Sequence, residues 1–265
     1  FWPQRYLGRR DPIAINANFF FLFPNAGEDQ INRATHLIAG AVHYKRQLDT
    51  ETLPVASMRG NPFCMEETKY LFSATRIPAH GRDDVRKPYS ESEPGPSPAR
   101  HILVFHKGHM FTLEVIGEDG VPYNPAEVAE GLRSIQASYT QHADPGQSVG
   151  HLTTMARATW ADHRQSLLSD PKNAELIDRV ETALVVTALE DVLPTNDLKD
   201  CDDLLHGNSA NRYFDKAVTL IVFANGQAGI NIEHCGLDGT AVLDFVDFLH
   251  SADTTTHAKG AGAVP

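Results

Sequence analysis

The stretch AVTLIVFANGQAGINIEH, residues 217–234, restricts the fold more than any other in the chain. Two β-rich runs flank the pair Asn225-Gly226. Asn-Gly between such runs is a strong short-range hairpin signal, because both residues tolerate the positive φ that a tight turn requires. A second hairpin is expected in HILVFHKGHMFTLEVIGEDG, residues 101–120, with its turn around Lys107 and Gly108. Two hairpins commit part of the sheet to antiparallel pairing.

The remaining elements read as helices. AGEDQINRATHLIAGAVHYKRQL places apolar residues at Ile31, Ala34, Leu37, Ile38, Ala41, Val42 and Leu48, a helical period that predicts a helix over 28–49. Asn124 before Pro125 is the signature of an N-cap with proline in the first turn, opening a helix to about Gln141. The same signal at Asp170 and Pro171 precedes AELIDRVETALVVTALEDVL, which reads as one helix, apolar around much of its circumference and therefore buried. TAVLDFVDFLH has helical spacing of Val242, Leu243, Val246 and Leu249. The four prolines between Pro88 and Arg100 mark an extended loop. Helices mixed with largely hairpin-connected strands predict an α/β fold with a mixed sheet and packed helices, and argue against a regular βαβ alternation. One lobe over residues 1–250 is expected, followed by a flexible small-residue tail over 251–265.

Composition bounds the function. At 265 residues and 42% hydrophobic content the chain can bury a sizeable core as a soluble globular protein. A net charge of -11 argues against sequence-independent binding of nucleic acid, which calls for a basic face. Cys64, Cys201 and Cys235 are scattered and odd in number, so neither a disulfide framework nor a zinc pattern is suggested, and an intracellular, reducing compartment is expected. No apolar run reaches the length of a transmembrane segment, and the N-terminal residues lack the apolar stretch of a secretory signal. The first residue is Phe1 rather than Met, as expected of a processed form or a segment of a longer protein.

The second run of the Asn-Gly hairpin ends in chemistry. His234 is followed at the fourth position by Asp238 and then Gly239. An imidazole titrates near neutral pH and can take a proton from a hydroxyl or thiol, provided a carboxylate or carbonyl on one ring nitrogen fixes its tautomer. Asp238 either supplies that contact or holds the turn, and Gly239 would let the backbone bend into the following helix. Taken alone, His-x-x-x-Asp-Gly also fits an ordinary strand end. Cys235 beside His234 is read as a small packed thiol. His101, His106 and His109 on one hairpin could meet a metal, but no acid or cysteine accompanies them at tight spacing. Asp197, Asp200, Asp202 and Asp203 lack the glycine and terminal glutamate of a calcium loop. No metal site is expected.

The flanking residues decide between the readings. LLHGNSANRYFDKAVTLIVFANGQAGINIEHCGLDG, residues 204–239, resembles a segment of the choline/carnitine O-acyltransferase family. WPQRYLGRRDPIAINANFFFLFP, TKYLFSATRIPAHGRDDV, HILVFHKGHMFTLEVI and VGHLTTMARATWADHRQSLL resemble further segments in the same order, so the likeness runs from about residue 1 to 250. The resemblance implies a chloramphenicol-acetyltransferase-like lobe and acyl transfer between coenzyme A, as a substrate, and the hydroxyl of carnitine, choline or a related alcohol, with no tightly bound cofactor. It implies His234 as the general base and Asp238 as an orienting or structural acid, with glutamate at that position in many members. Tyr6 matches a tyrosine that helps hold the carnitine carboxylate, and it is equally suited to packing. Asn211, Arg212, Asp215, Lys216 and Gly239 are expected to shape the site. Family enzymes are considerably longer, and their second half supplies coenzyme A contacts and oxyanion donors. The sequence therefore implies either a partner lobe elsewhere or self-association that completes the site. A catalytically incomplete lobe acting as an interaction module, and a condensation-type enzyme using a carrier-protein thioester, are the alternatives.

Overall fold

In the computed structural model, which describes residues 2–58 and 60–251, the chain opens with α1 (Trp2–Leu7), α2 (Ile13–Asn16), β1 (Phe19–Leu22) and α3 (Gln30–Asp49). Then come β2 (Ser57–Met58), β3 (Asn61–Pro62), β4 (Thr75–Ile77), β5 (Asp84–Arg86), β6 (His101–His106), β7 (His109–Glu114) and α4 (Pro125–Ser138). The last third holds α5 (Arg157–Leu168), α6 (Pro171–Thr182), β8 (Val186–Leu189), α7 (Asp197–Leu205), β9 (Val218–Val222), β10 (Ala228–Ile232) and α8 (Gly239–Ser251). The tail expected over 251–265 lies outside the described residues apart from Ser251, which ends α8.

The main sheet has six strands in the order β1-β10-β9-β8-β6-β7. Its two hairpins are β6/β7 and β9/β10, as the turn chemistry predicts. They use different turns. Lys107 and Gly108 both have positive φ, 52° and 77°, and His106 pairs with His109 across a two-residue loop. In β9/β10, Gly226 donates to the Phe223 carbonyl at 2.9 Å and takes φ 84°, so the loop has three residues with the glycine as its bulge. A Cβ on Gly226 would stand 1.8 Å from the Glu28 carbonyl, so the hairpin lies against the start of α3.

The interior of the sheet corrects one expectation. Residues 174–193 are not a single helix: α6 stops at Thr182, and Val186–Leu189 forms β8, parallel to both β6 and β9. A strand buried on both faces shows a continuous apolar run rather than alternation, and periodicity cannot separate that from a buried helix. The mixed sheet thus joins two hairpins through a central parallel strand.

Alternation along the strands builds two cores. Ile102 and Val104 of β6, Leu220 and Val222 of β9 and Ile230 of β10 face α3, α4 and α8. Leu103 and Phe105, Val186 and Ala188, and Ile221 face the opposite layer, where Trp160, Val180 and Leu204 of α5, α6 and α7 pack. Three flanking helices begin at side-chain caps, of which Asn124 and Asp170 are the two predicted. Asp29 accepts from Asn32 N–H at 2.9 Å, and Asn124 forms a capping box with Glu127. Asp170 accepts from Lys172 N–H at 2.8 Å. No helix among the described residues is long and apolar enough to cross a membrane.

Candidate active site

His234 lies just beyond the end of β10, where strand pairing stops. The ladder to β1 closes at Phe19 opposite Ile232, and the Glu233 N–H makes one further bond to the Ala217 carbonyl at 3.1 Å. The chain then turns. His234 is half-buried between two rings, with the centroids of Tyr6 and Phe19 each 4.7 Å from its own. Tyr6 also packs against the small cluster of Ile13, Ala14, Ala17 and Phe214. It has the packing role expected of it, and its ring also forms one wall beside the imidazole.

The imidazole is held by the backbone. Nδ1 lies 2.6 Å from the Leu237 carbonyl oxygen. A carbonyl can only accept, so Nδ1 carries the proton, and in the neutral ring Nε2 is the acceptor nitrogen. Asp238, expected either to orient the imidazole or to hold the turn, is exposed and turned toward the helix that follows: its Oδ1 accepts from Thr240 N–H at 3.4 Å. Its own N–H donates to Glu67 Oε2 at 2.9 Å. The shorter acid thus sits on the helix-starting side of the turn, and a main-chain carbonyl does the orienting.

Gly239 is the first residue of α8, with φ outside the positive region and open space where a Cβ would stand. The bend expected of it does not depend on glycine. The glycine that matters is Gly236, whose Cβ would fall 2.1 Å from a Tyr70 ring carbon. Lys87 Nζ stands 4.7 Å from the centroid of the same tyrosine ring. Cys235 is buried, and burial followed by the neighbouring Glu233 raises its thiol well above its ordinary value. A thiol held protonated in this way is not a nucleophile.

Beneath the turn runs a chain of buried ion pairs. Glu233 Oε1 accepts from Arg76 Nη1 at 2.9 Å, and Glu233 Oε2 accepts from Cys235 N–H at 3.0 Å. Arg76 Nε donates to Asp83 Oδ2 at 2.7 Å and its Nη2 to the Tyr6 carbonyl at 2.8 Å. Asp83 also receives Arg157 Nε at 2.6 Å and Arg10 Nη2 at 2.9 Å. Arg157 reaches Asp215 at 2.6 Å, and Trp160 Nε1 donates to the other oxygen of that carboxylate at 2.7 Å. Arg10, Arg76 and Arg157 balance Asp83, Asp215 and Glu233, so the network is electroneutral. Burial works to raise the Asp83 carboxyl, but Arg157 and then Arg76 outweigh it and hold it below the usual carboxylate value. Pairing of this kind is what allows charges to remain in a dry interior.

The other expected site residues divide. Asp215 belongs to this network. Lys216 is buried and donates to the Glu181 and Ala183 carbonyls at 3.0 and 2.6 Å. Asn211 and Arg212 lie elsewhere. Asn211 donates to the Leu189 carbonyl at 3.2 Å and accepts from Gly108 N–H at 3.0 Å, while Arg212 pairs with Glu190. Those contacts are at the C-terminal ends of β6 and β8, whereas His234 follows the end of β10 that pairs with the start of β9. Asn211 and Arg212 therefore brace the opposite end of the sheet, because the chain between them and β9 crosses from one end to the other. Sequence reasoning also passed over Arg76, Asp83, Arg157 and Glu233. Apart from Arg76 and Asp83, seven residues from each other, these partners lie far apart in sequence, and the acid directly before His234 was the local signal at the turn itself.

The histidines of the β6/β7 hairpin do not converge. His106 faces His109, but His101 is at the far end of β6, against the Arg179 carbonyl at 2.8 Å. Asp203 of the acidic run pairs with Lys199 at 2.5 Å. Among the described residues no group of three or more His, Cys, Asp or Glu side chains is placed to hold a metal.

Comparison with known proteins extends the geometry. The chain is 32% identical to rat mitochondrial carnitine O-palmitoyltransferase 2 (Rattus norvegicus), over 97% of this chain and 43% of the relative. It is 30% identical to pigeon carnitine O-acetyltransferase (Columba livia), over 92% of this chain and 40% of the relative. It is 31% identical to the muscle isoform of human carnitine O-palmitoyltransferase 1 (Homo sapiens), over 94% and 32% respectively. The chain thus spans less than half the length of these relatives. A chloramphenicol acetyltransferase structure aligns with 93% of this chain and 91% of its own at a TM-score of 0.39 and 12% identity, a likeness from which no property of this chain follows. The Choline/Carnitine o-acyltransferase family model matches residues 1–263, and on that match the chain belongs to the choline/carnitine O-acyltransferase family.

Proposed function

We propose that this chain is the histidine-bearing lobe of an enzyme that moves an acyl group between coenzyme A and the hydroxyl of carnitine, choline or a related alcohol. The observation that carries the reading is the His234 turn, where the Leu237 carbonyl holds Nδ1–H and makes Nε2 the basic nitrogen of the neutral ring. In the forward direction Nε2 takes the alcohol proton as the oxygen attacks the thioester carbonyl. Collapse of the tetrahedral adduct breaks the C–S bond, and the departing thiolate of coenzyme A takes the proton back from the imidazolium. The imidazolium is tolerated because the Leu237 carbonyl accepts from it throughout. Tyr6 serves as a wall of the alcohol site. The relatives are more than twice as long as the stretch matched here, and on this reading the remaining coenzyme A contacts and oxyanion donors are supplied from outside this chain.

The test is release of free thiol from acyl-CoA by the protein carrying this chain, with carnitine or choline as acceptor. His234→Ala should lower turnover by a factor on the order of 10² to 10⁴, the usual worth of a general base. Turnover retained in that variant refutes the assignment. A second reading, an interaction module without chemistry, draws on the same partial span of the relatives. It is favoured if the unsubstituted protein shows no turnover over a panel of acyl-CoA chain lengths and both alcohols.

A further inference from the structure

One guanidinium is bound at once to the strand end that carries His234 and to the helix that carries Tyr6. Arg76 is 1% exposed and donates to three acceptors on three segments: Glu233 Oε1 at 2.9 Å, the Tyr6 carbonyl at 2.8 Å and Asp83 Oδ2 at 2.7 Å. Glu233 uses its second oxygen on the N–H of Cys235, so its carboxylate spans the His234 residue from both sides. The peptide unit that follows the imidazole is therefore held by a carboxylate on the residue before it, and that carboxylate is itself fixed by Arg76. Helix α1 is tied to the same centre by further bonds: Arg10 links the Leu7 carbonyl at 2.6 Å to Asp83 at 2.9 Å, and Asp83 N–H donates to Leu7 O at 3.0 Å. The segment tied down in this way carries the Tyr6 ring, 4.7 Å from the imidazole.

We propose that Arg76 and Glu233 are the positioning pair of the His234 base, setting in one hydrogen-bonded unit the direction of the imidazole and its distance from the Tyr6 wall. The proposal rests on the reading of His234 as the base, and it assigns neither residue a contact with substrate. Its geometric signature is that charge alone does not suffice. A planar guanidinium serves three acceptors at fixed angles, whereas an ammonium at the end of a flexible stem does not. Arg76→Lys should therefore behave like a loss of the pair although the charge balance is kept.

The experiment has two arms. In the 265-residue chain labelled with ¹⁵N at histidine rings, the His234 signals report the Nδ1–H tautomer; in Glu233→Gln and Arg76→Lys the two ring-nitrogen signals should move toward each other as the ring loses its fixed orientation. In the protein carrying the chain, the same substitutions should lower kcat by on the order of 100-fold, the cost of misplacing a reacting group by about 1 Å, with KM for acyl-CoA little changed. Unchanged His234 ring signals in the folded variants overturn the pairing, whatever happens to turnover. Altered ring signals with turnover intact support the pairing and sink His234 as the base. Should either single variant fail to fold, the double variant Arg76→Gln with Glu233→Gln keeps the cluster electroneutral and takes its place. The unsubstituted chain gives an independent reading: the Cys235 amide must be strongly protected from hydrogen exchange, and rapid exchange there overturns the proposal.

Discussion

Lys216 offers a stability measurement whose sign and size follow from the structure. Its amine is buried and donates to two main-chain carbonyls, those of Glu181 and Ala183. A neutral amine has two N–H groups, which these acceptors satisfy, while an ammonium carries a third. Burial accordingly depresses the lysine from its ordinary value near 10.5 to about 7, against a weaker pull from Glu181. Between those two values the folded chain has released this proton while the unfolded chain still holds it, so the unfolded state binds more protons and stability rises with pH. Below pH 7 both states are protonated and the full cost of the buried charge is present. From pH 7.5 to 9.5 the gain from this one site is about 2.5 kcal/mol, from a limiting slope of about 1.36 kcal/mol per pH unit. Other groups titrate in the same range, Cys235 among those that do not, so the measurement is a difference. Urea unfolding of the chain and of Lys216→Met at both pH values removes every shared contribution. The substitution also leaves the two carbonyls without this donor, but that loss does not vary with pH, and Glu181 O keeps the Thr75 hydroxyl at 2.8 Å. The stability difference between the two proteins should move by about 2.5 kcal/mol in favour of the unsubstituted chain as pH rises. A flat difference refutes the depressed lysine and the packing argument behind it.

Two further outcomes bear on the site's support. Gly236→Ala drives a Cβ to 2.1 Å from the Tyr70 ring, which cannot simply swing aside with Lys87 on its face, so the urea midpoint should fall by the equivalent of about 1–3 kcal/mol; an unchanged midpoint shows that the turn relaxes freely. Asp215→Asn withdraws a buried carboxylate from Arg157, and loss of one member of such a pair costs about 3–5 kcal/mol in denaturant unfolding; a loss below about 1 kcal/mol would show that Asp83 alone satisfies the guanidinium.

What the sequence revealed depended on how local each determinant is. Hairpin turns and helix caps are set by neighbouring residues, so Asn225-Gly226, Asn124-Pro125 and Asp170-Pro171 were each readable on sight. The central strand was not, because Val186–Leu189 is buried on both faces and runs on directly from α6 with no turn residue between. His234 was legible through the motif and the resemblance around it. Its orienting partner was not, since a main-chain carbonyl such as Leu237 has no side-chain signature. Arg76 and Glu233 are 157 positions apart, and only the fold shows that they touch. The expectation that Asn211 and Arg212 shape the site came with the resemblance of the block that also holds His234, and the fold puts them at the other end of the sheet.

The position of His234 just past the ladder also explains why so many acceptors gather there. Within β10 each residue is held by main-chain bonds to β1 and β9, and those end with Ile232 and the single bond from Glu233. Beyond that point the strand no longer fixes the backbone, and an imidazole on an unsupported turn would sample many directions. Three donors of the turn find acceptors outside the ladder: Nδ1–H of His234 at the Leu237 carbonyl, Cys235 N–H at Glu233 and Asp238 N–H at Glu67. Two of the three acceptors are carboxylates, and hydrogen bonds to charged acceptors are about twice as strong as neutral ones. Glu233 can remain ionised in the interior because Arg76 pairs with it, and Arg76 in turn is matched through Asp83 and Arg157 to Asp215. The buried network is therefore the means by which a histidine outside regular structure is given a fixed direction.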